Sequence, residues 1–306
     1  MSLSPDTSAA QAAAGSQTGS LTAAALMVLA AGILWGTTGT TQALAPSGAT
    51  PVSIGGMRLV VGGLTLLLLA LARGGLGKQR WPLLPTLLAG AFVASYQLCF
   101  FAAVSRTGVA AGTLVGIGSS PIMAGVLGFV VRGERPGRRW VVATVLALAG
   151  CALLAAGGGG ISVNPVGMLL AVAAGVSYAS YTIAIKGLLP GRSAEAVMAV
   201  VFCIGALLLS PLLLTSNLQW IATPKGATLV LYLGVMVTAL SYWLFVRGLR
   251  TVPVATAVTL SLAEPLTAAL LGIFFLGERL SMMSMSGIPL LFAGLVVLAG
   301  SVTEGK

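Results

Sequence analysis

Across 306 residues the chain carries 57% hydrophobic and only 7% charged side chains, with a formal charge of +10 and no histidine. A soluble domain has about a quarter of its residues charged, so this composition, at a mean hydropathy of +1.03, excludes a water-borne fold. The basic residues form no single stripe, which argues against a nucleic-acid surface, and without histidine or a Gly-x-x-x-x-Gly-Lys-Ser/Thr loop, His-based metal or triad chemistry and direct drive by ATP are excluded.

Residues 1–20, rich in Ala, Ser, Thr, Gln and Gly and lacking lysine and arginine, have no basic start of a signal peptide and read as a disordered cytoplasmic tail. Beyond them, apolar runs of about 20 residues recur, each long enough to cross roughly 30 Å of hydrocarbon as a helix. The expected spans are Leu21 to Ala45, Pro51 to Ala72, Leu83 to Val104, Val109 to Val131, Arg139 to Gly157, Val166 to Leu189, Ala194 to Leu214, Ala227 to Val246, Val254 to Leu276 and Met283 to Ser301. Short joints such as Ala45-Pro46-Ser47-Gly48, Arg73-Gly74-Gly75, Gly157 to Gly160 and Asn217 to Lys225 hold the breakers and charges. None has room for a soluble domain. Cys99, Cys151 and Cys203 fall inside spans and read as small packing residues, since an odd count cannot pair completely within one chain.

A shift of 144 residues lays Tyr96 to Ala156 on Leu240 to Gly300 without a gap. Phe101 meets Phe245, Arg106-Thr107 meets Arg250-Thr251, Pro121 meets Pro265, and Gly133-Glu134-Arg135 meets Gly277-Glu278-Arg279. This is an internal duplication, a ground plan of secondary transporters. Residues 21–160 and 161–302 are the two expected halves, with a tail at 303–306. Five spans per half force the second copy to enter the membrane upside down. With a cytoplasmic N-terminus, the inner joints and ends hold Arg73, Lys78, Arg80, Arg132, Arg135, Arg138, Arg139, Lys186, Arg192, Arg247, Arg250 and Lys306, against Arg106, Lys225 and Arg279 outside. This positive-inside bias places both termini in the cytoplasm.

In the fourth span Gly108, Gly112, Gly116, Ser120, Ala124 and Gly128 recur every four residues, a strip of small side chains for close helix packing. Pro121 and Pro265 each remove a backbone donor at mid-span, so a kink is expected in both copies. Interrupted helices at matching places point to a midplane cavity. Glu264, beside Pro265, is the one acidic residue well inside a span, a candidate for proton coupling, for a substrate ammonium group or for a buried ion pair. Arg58, about 10 Å inside the second span, is its candidate partner, a snorkelling side chain, or a site for a carboxylate.

Trp81, Trp140 and Trp220 sit at span edges and read as interfacial anchors. Trp35, the run Phe92, Tyr96 and Phe100, the pair Tyr178 and Tyr181, and Tyr242 with Phe245 bring aromatic faces to mid-span from both halves. Thr37, Ser95, Gln97, Ser177, Ser180 and Ser241 stand beside them in sequence, and Ser95, Gln97, Ser120 and Ser241 are the candidates for the polar end of a solute. A chamber with aromatic walls and a few polar groups suits an amphipathic organic solute better than a bare ion. The lining set is Trp35, Ser95, Tyr96, Gln97, Ser120, Tyr178, Tyr181, Ser241 and Tyr242.

Leu34-Trp35-Gly36 in the first span, Arg58 in the second, and mid-helix Pro with terminal Gly-Glu-Arg in the fourth and ninth resemble the EamA-type branch of the drug/metabolite transporter superfamily. Within it the chain is most similar to the bacterial YddG-type aromatic amino acid exporters. The resemblance implies an all-α membrane protein of ten helices in two inverted five-helix repeats, with no cofactor or metal. It further implies export of aromatic and other neutral amino acids from the bacterial inner membrane. Alternating access through a chamber between the repeats is the expected mechanism, and a monomer the expected working unit, because the small-residue strips are used within one chain. Export of lipophilic drugs or other metabolites is the alternative on the same fold, with a channel behind it. An enzyme is not expected.

Overall fold

Five of the described helices start on a cap that satisfies backbone donors. Thr50, Asn164, Ser193, Thr223 and Ser281 accept from the backbone N–H of Ser53, Gly167, Ala196, Gly226 and Ser284, and three of these caps precede a proline in the first turn. The computed structural model describes residues 5–77, 80–156, 164–277 and 279–303. Lys78, the glycine joint at 157–160, Glu278 of the second Gly-Glu-Arg, and the extreme termini lie outside them.

Among the described residues, ten helices are long and apolar enough to cross a membrane. In order they are Gly19–Ala43, Pro51–Ala72, Leu83–Gly108, Ala111–Arg132, Arg138–Ala156, Pro165–Leu188, Ala194–Leu214, Pro224–Leu249, Val254–Leu276 and Met282–Val302. They are called here the first to tenth spans. Helices satisfy most of their backbone groups internally, which is what lipid requires of a spanning segment. An even number of crossings brings the ends of the chain to one side, the termini face. The first five spans form one repeat and the last five its inverted copy.

Four local features depart from the expected outline. The first helix runs back to Pro5, through residues read above as a disordered tail, because alanine-rich sequence extends a helix already formed. The third and fourth spans are continuous apart from Gly108, whose φ of 82° only glycine adopts without strain. Within the eighth span Tyr232–Leu240 winds as a π-helix, a rare wide form that is frequent at functional sites. Finally, the two prolines act differently. Ahead of Pro265 the ninth span breaks at Ser261 and Leu262, and the Glu264 N–H closes a tight turn onto the Ser261 carbonyl at 2.9 Å. Backbone dihedrals stay helical through Pro121, where the Ser119 and Ser120 hydroxyls donate to the Gly116 carbonyl at 3.3 and 2.9 Å.

Close packing is sharpest where glycines let two spans approach backbone to backbone. A Cβ on Gly150 would stand 2.5 Å from the Leu291 nitrogen, and one on Gly287 would stand 2.5 Å from the Gly150 carbonyl oxygen, so the fifth and tenth spans meet backbone to backbone. The first span crosses the ninth at Gly36, where a Cβ would lie 2.7 Å from the Glu264 carbonyl oxygen. The sixth crosses the fourth at Gly175, where a Cβ would lie 2.9 Å from the Gly116 carbonyl oxygen. Of the expected strip, Gly116 makes such a contact, whereas nothing lies within 4 Å of a Cβ on Gly108. Trp220 is buried, and Trp140 donates to the Thr259 hydroxyl at 3.0 Å. All three cysteines are free thiols, as expected.

Candidate functional site between the repeats

Aromatic residues three or four apart lie on one face of a helix, and that spacing brings rings from five spans into one cluster. Trp35 packs on Tyr242 with ring centroids 4.7 Å apart and on Phe245 at 5.3 Å. Tyr242 reaches Tyr181 at 6.4 Å and Phe202 at 4.6 Å. Tyr181 meets Tyr178 edge-on at 5.0 Å, Tyr178 meets Tyr96 at 5.7 Å, and Tyr96 stacks on Phe100 at 5.7 Å. Both repeats contribute.

Polar groups in this cluster fall into two sets. The Tyr178 hydroxyl donates to the Ser261 hydroxyl at 3.1 Å, joining the sixth span to the break in the ninth. The Ser95 and Ser177 hydroxyls share a bond of 3.0 Å between the third and sixth. By contrast Trp35 Nε1 and Tyr181 Oη are buried without a hydrogen-bond partner. Tyr181 and Tyr242 couple electrostatically, but the geometry of their hydroxyls does not make a hydrogen bond. A buried polar group without a partner costs about 1–3 kcal/mol, so a bound solute or water that pairs with these atoms would be favoured.

Arg58 and Glu264 lie within electrostatic range of the cluster. Each interacts electrostatically with Tyr96 and Tyr242, and Glu264 also with Tyr178. They feel one another's charge but make no ion pair with each other among the described residues. Glu264 keeps some accessible surface.

Two further candidates are spent locally. Ser120 donates to the Gly116 carbonyl and Ser241 to the Val237 carbonyl, each four residues back on its own helix. Gln97 lies beside Phe101 and Arg106 in a cavity of about 260 Å³ between the second, third and seventh spans, away from the tyrosine cluster. Phe202 and Ser261 escaped the sequence reading. Phe202 stands in a run without aromatic spacing, and the partner of Ser261 is 83 residues away. A cavity of about 450 Å³ lies in the half remote from the termini. Thr113, Leu114, Ile117 and Gly118 of the fourth span line it opposite Ala268 and Gly272 of the ninth, with Pro265 and Cys151 also in the lining. Glu264 lies within electrostatic reach of Cys151.

The EamA-like transporter family profile matches residues 22–156 and again 165–300, once per repeat. The uncharacterized transporter YwfM of Bacillus subtilis is 47% identical over 281 residues, covering 92% of this chain and 95% of its own. The uncharacterized inner membrane transporter YicL of Salmonella typhimurium is 24% identical over 283 residues, covering 90% and 94%. A solved crystal structure shares the fold with a TM-score of 0.77 at 23% identity, covering 90% of this chain and 95% of that one. Matched over both halves and by a relative of nearly full length, the chain belongs to the EamA-like transporter family, a family of membrane transporters and not of enzymes.

Proposed function

We propose that this secondary transporter exports amino acids, aromatic and other neutral ones included, by alternating access through the centre of the bundle. The observation that carries the reading is the aromatic cluster built from both repeats, with Arg58 and Glu264 within electrostatic range of its tyrosines and no ion pair between them among the described residues. A zwitterion has an anionic and a cationic end. Arg58 suits its carboxylate, which a guanidinium can hold with two parallel bonds, and Glu264 suits its ammonium group. Trp35, Tyr96, Tyr178, Tyr181 and Tyr242 supply a wall for an apolar or aromatic side chain. Ser95 and Ser177 add hydroxyls at the edge. The protein works as a monomer in the bacterial inner membrane, with the termini face toward the cytoplasm as the distribution of arginine and lysine supports.

A second reading, export of lipophilic compounds, draws on the apolar lining of the 450 Å³ cavity. The two separate by competition. Phenylalanine should inhibit flux, whereas phenethylamine, which lacks the carboxylate, and phenylpropionate, which lacks the amine, should do so at least tenfold less well. Equal inhibition by all three would remove the two-pole site and favour the lipophilic reading.

A further inference from the structure

The Glu134 carboxylate, in the joint after the fourth span, ties three elements together. Its Oε1 accepts from Lys186 Nζ at 2.9 Å and from Arg132 Nε at 3.1 Å. Its Oε2 accepts from the Val254 backbone N–H at 2.7 Å, at the start of the ninth span. Lys186 Nζ, at the end of the sixth span, donates as well to the Val252 carbonyl at 2.7 Å. The cluster is largely shielded, with side-chain exposures of 18% for Glu134 and 12% for Lys186. Burial alone would push the Glu134 carboxyl up, but the bonds from Lys186 and Val254 outweigh it and hold the group below its ordinary value, so it stays ionised. Bonds to an ionised group are about twice as strong as neutral ones.

The same helices are arranged differently on the two sides of the bundle. On the termini face the ends of the fourth and sixth spans are bound to the start of the ninth through Glu134 and Lys186. The Tyr178 to Ser261 bond continues that seam inward. In the other half the fourth span stands apart from the ninth across the 450 Å³ cavity, which Gly39, Thr40 and Ala43 of the first span also line. When the first span is laid on the sixth by the offset of 143 residues, Ala43 takes the place of Lys186. No lysine is available there for a mirror-image bond.

We infer that Glu134 and Lys186 are the bolt of a gate on the termini face: they are positioning residues that hold the fourth and sixth spans against the ninth while the opposite side is open, and part when the solute passes. The inference rests on the alternating-access reading but not on the identity of the solute. The bolt has to open for the termini side to be exposed, because the Val254 N–H and the Val252 carbonyl are fixed on the ninth-span side and the two charged side chains on the other.

The test is a distance measurement by pulsed electron resonance on the full chain in lipid nanodiscs, without added solute. Spin labels go on Pro136→Cys and Thr251→Cys, both exposed positions, in a background with Cys99, Cys151 and Cys203 changed to serine. The background should show mainly one short distance. E134Q and K186M should each shift at least half of the population to a longer distance, and K186R, which restores the charge, should return it to the short one. Unchanged distances in whichever of E134Q and K186M is recovered folded would overturn the gate. Loss of folding in both, or a K186R sample that behaves as K186M, would overturn it as well and leave a purely structural clamp. An absence of amino acid flux would count against the proposed solute and leave this result standing.

Discussion

Glu264→Gln is expected to raise the half-saturation concentration for neutral amino acids by roughly 10- to 150-fold, the equivalent of the roughly 1.5–3 kcal/mol that a hydrogen bond to a charged group contributes. The protein should still insert and fold. Glu264 makes no ion pair among the described residues, and glutamine fills the same space. A charged side chain at the centre of a span costs roughly 2.5–3.5 kcal/mol on insertion scales, so the variant should melt no lower than the parent. This combination separates a solute-binding carboxylate from a structural one. A structural role predicts lower thermal stability with unchanged half-saturation, and that outcome, in proteoliposome exchange and detergent melting measured side by side, would remove Glu264 from the site.

Gly287→Ala should destabilise the folded bundle by about 1–3 kcal/mol, the usual cost of forcing an extra carbon into a packed site. The added Cβ would lie 2.5 Å from the Gly150 carbonyl oxygen and 2.9 Å from the Leu154 nitrogen. Both obstacles are backbone, so no side chain can turn away to make room, and the fifth and tenth spans would have to separate. Gly187→Ala is the control, because nothing lies within 4 Å of the added carbon. There the change should stabilise slightly, since alanine favours helix over glycine by roughly 0.5–1 kcal/mol. Opposite signs in detergent melting are the expected result. Equal melting of the two variants would mean that close backbone approach between these spans contributes little.

Span number, duplication and inversion were legible because each rests on a property that survives without coordinates: apolar length, a fixed offset, and an odd count of crossings. The aromatic cluster was legible for a similar reason. Tyr96 and Phe100, or Tyr178 and Tyr181, share a helix face by spacing alone. What spacing does not reveal is the direction in which a small polar side chain spends its bond. Ser120 and Ser241 stand at suitable places but bond to their own helices, and Gln97 turns toward a different cavity from its neighbour Tyr96. Nor does a proline announce its consequence. Pro121 and Pro265 occupy equivalent positions, yet only the second is preceded by a break, at Ser261 and Leu262. Glu134 was visible as part of a repeated Gly-Glu-Arg. Its partners, 52 and 120 residues away, were not, because a contact of that range is set by how the spans assemble.

The most direct measurement is counterflow of labelled phenylalanine, threonine and methionine into proteoliposomes loaded with excess unlabelled amino acid. An amino acid carrier working by alternating access should show saturable uptake that depends on the internal amino acid and is abolished when the internal pool is omitted. Correctly inserted protein that gives no such exchange for any of the three would contradict the proposed function.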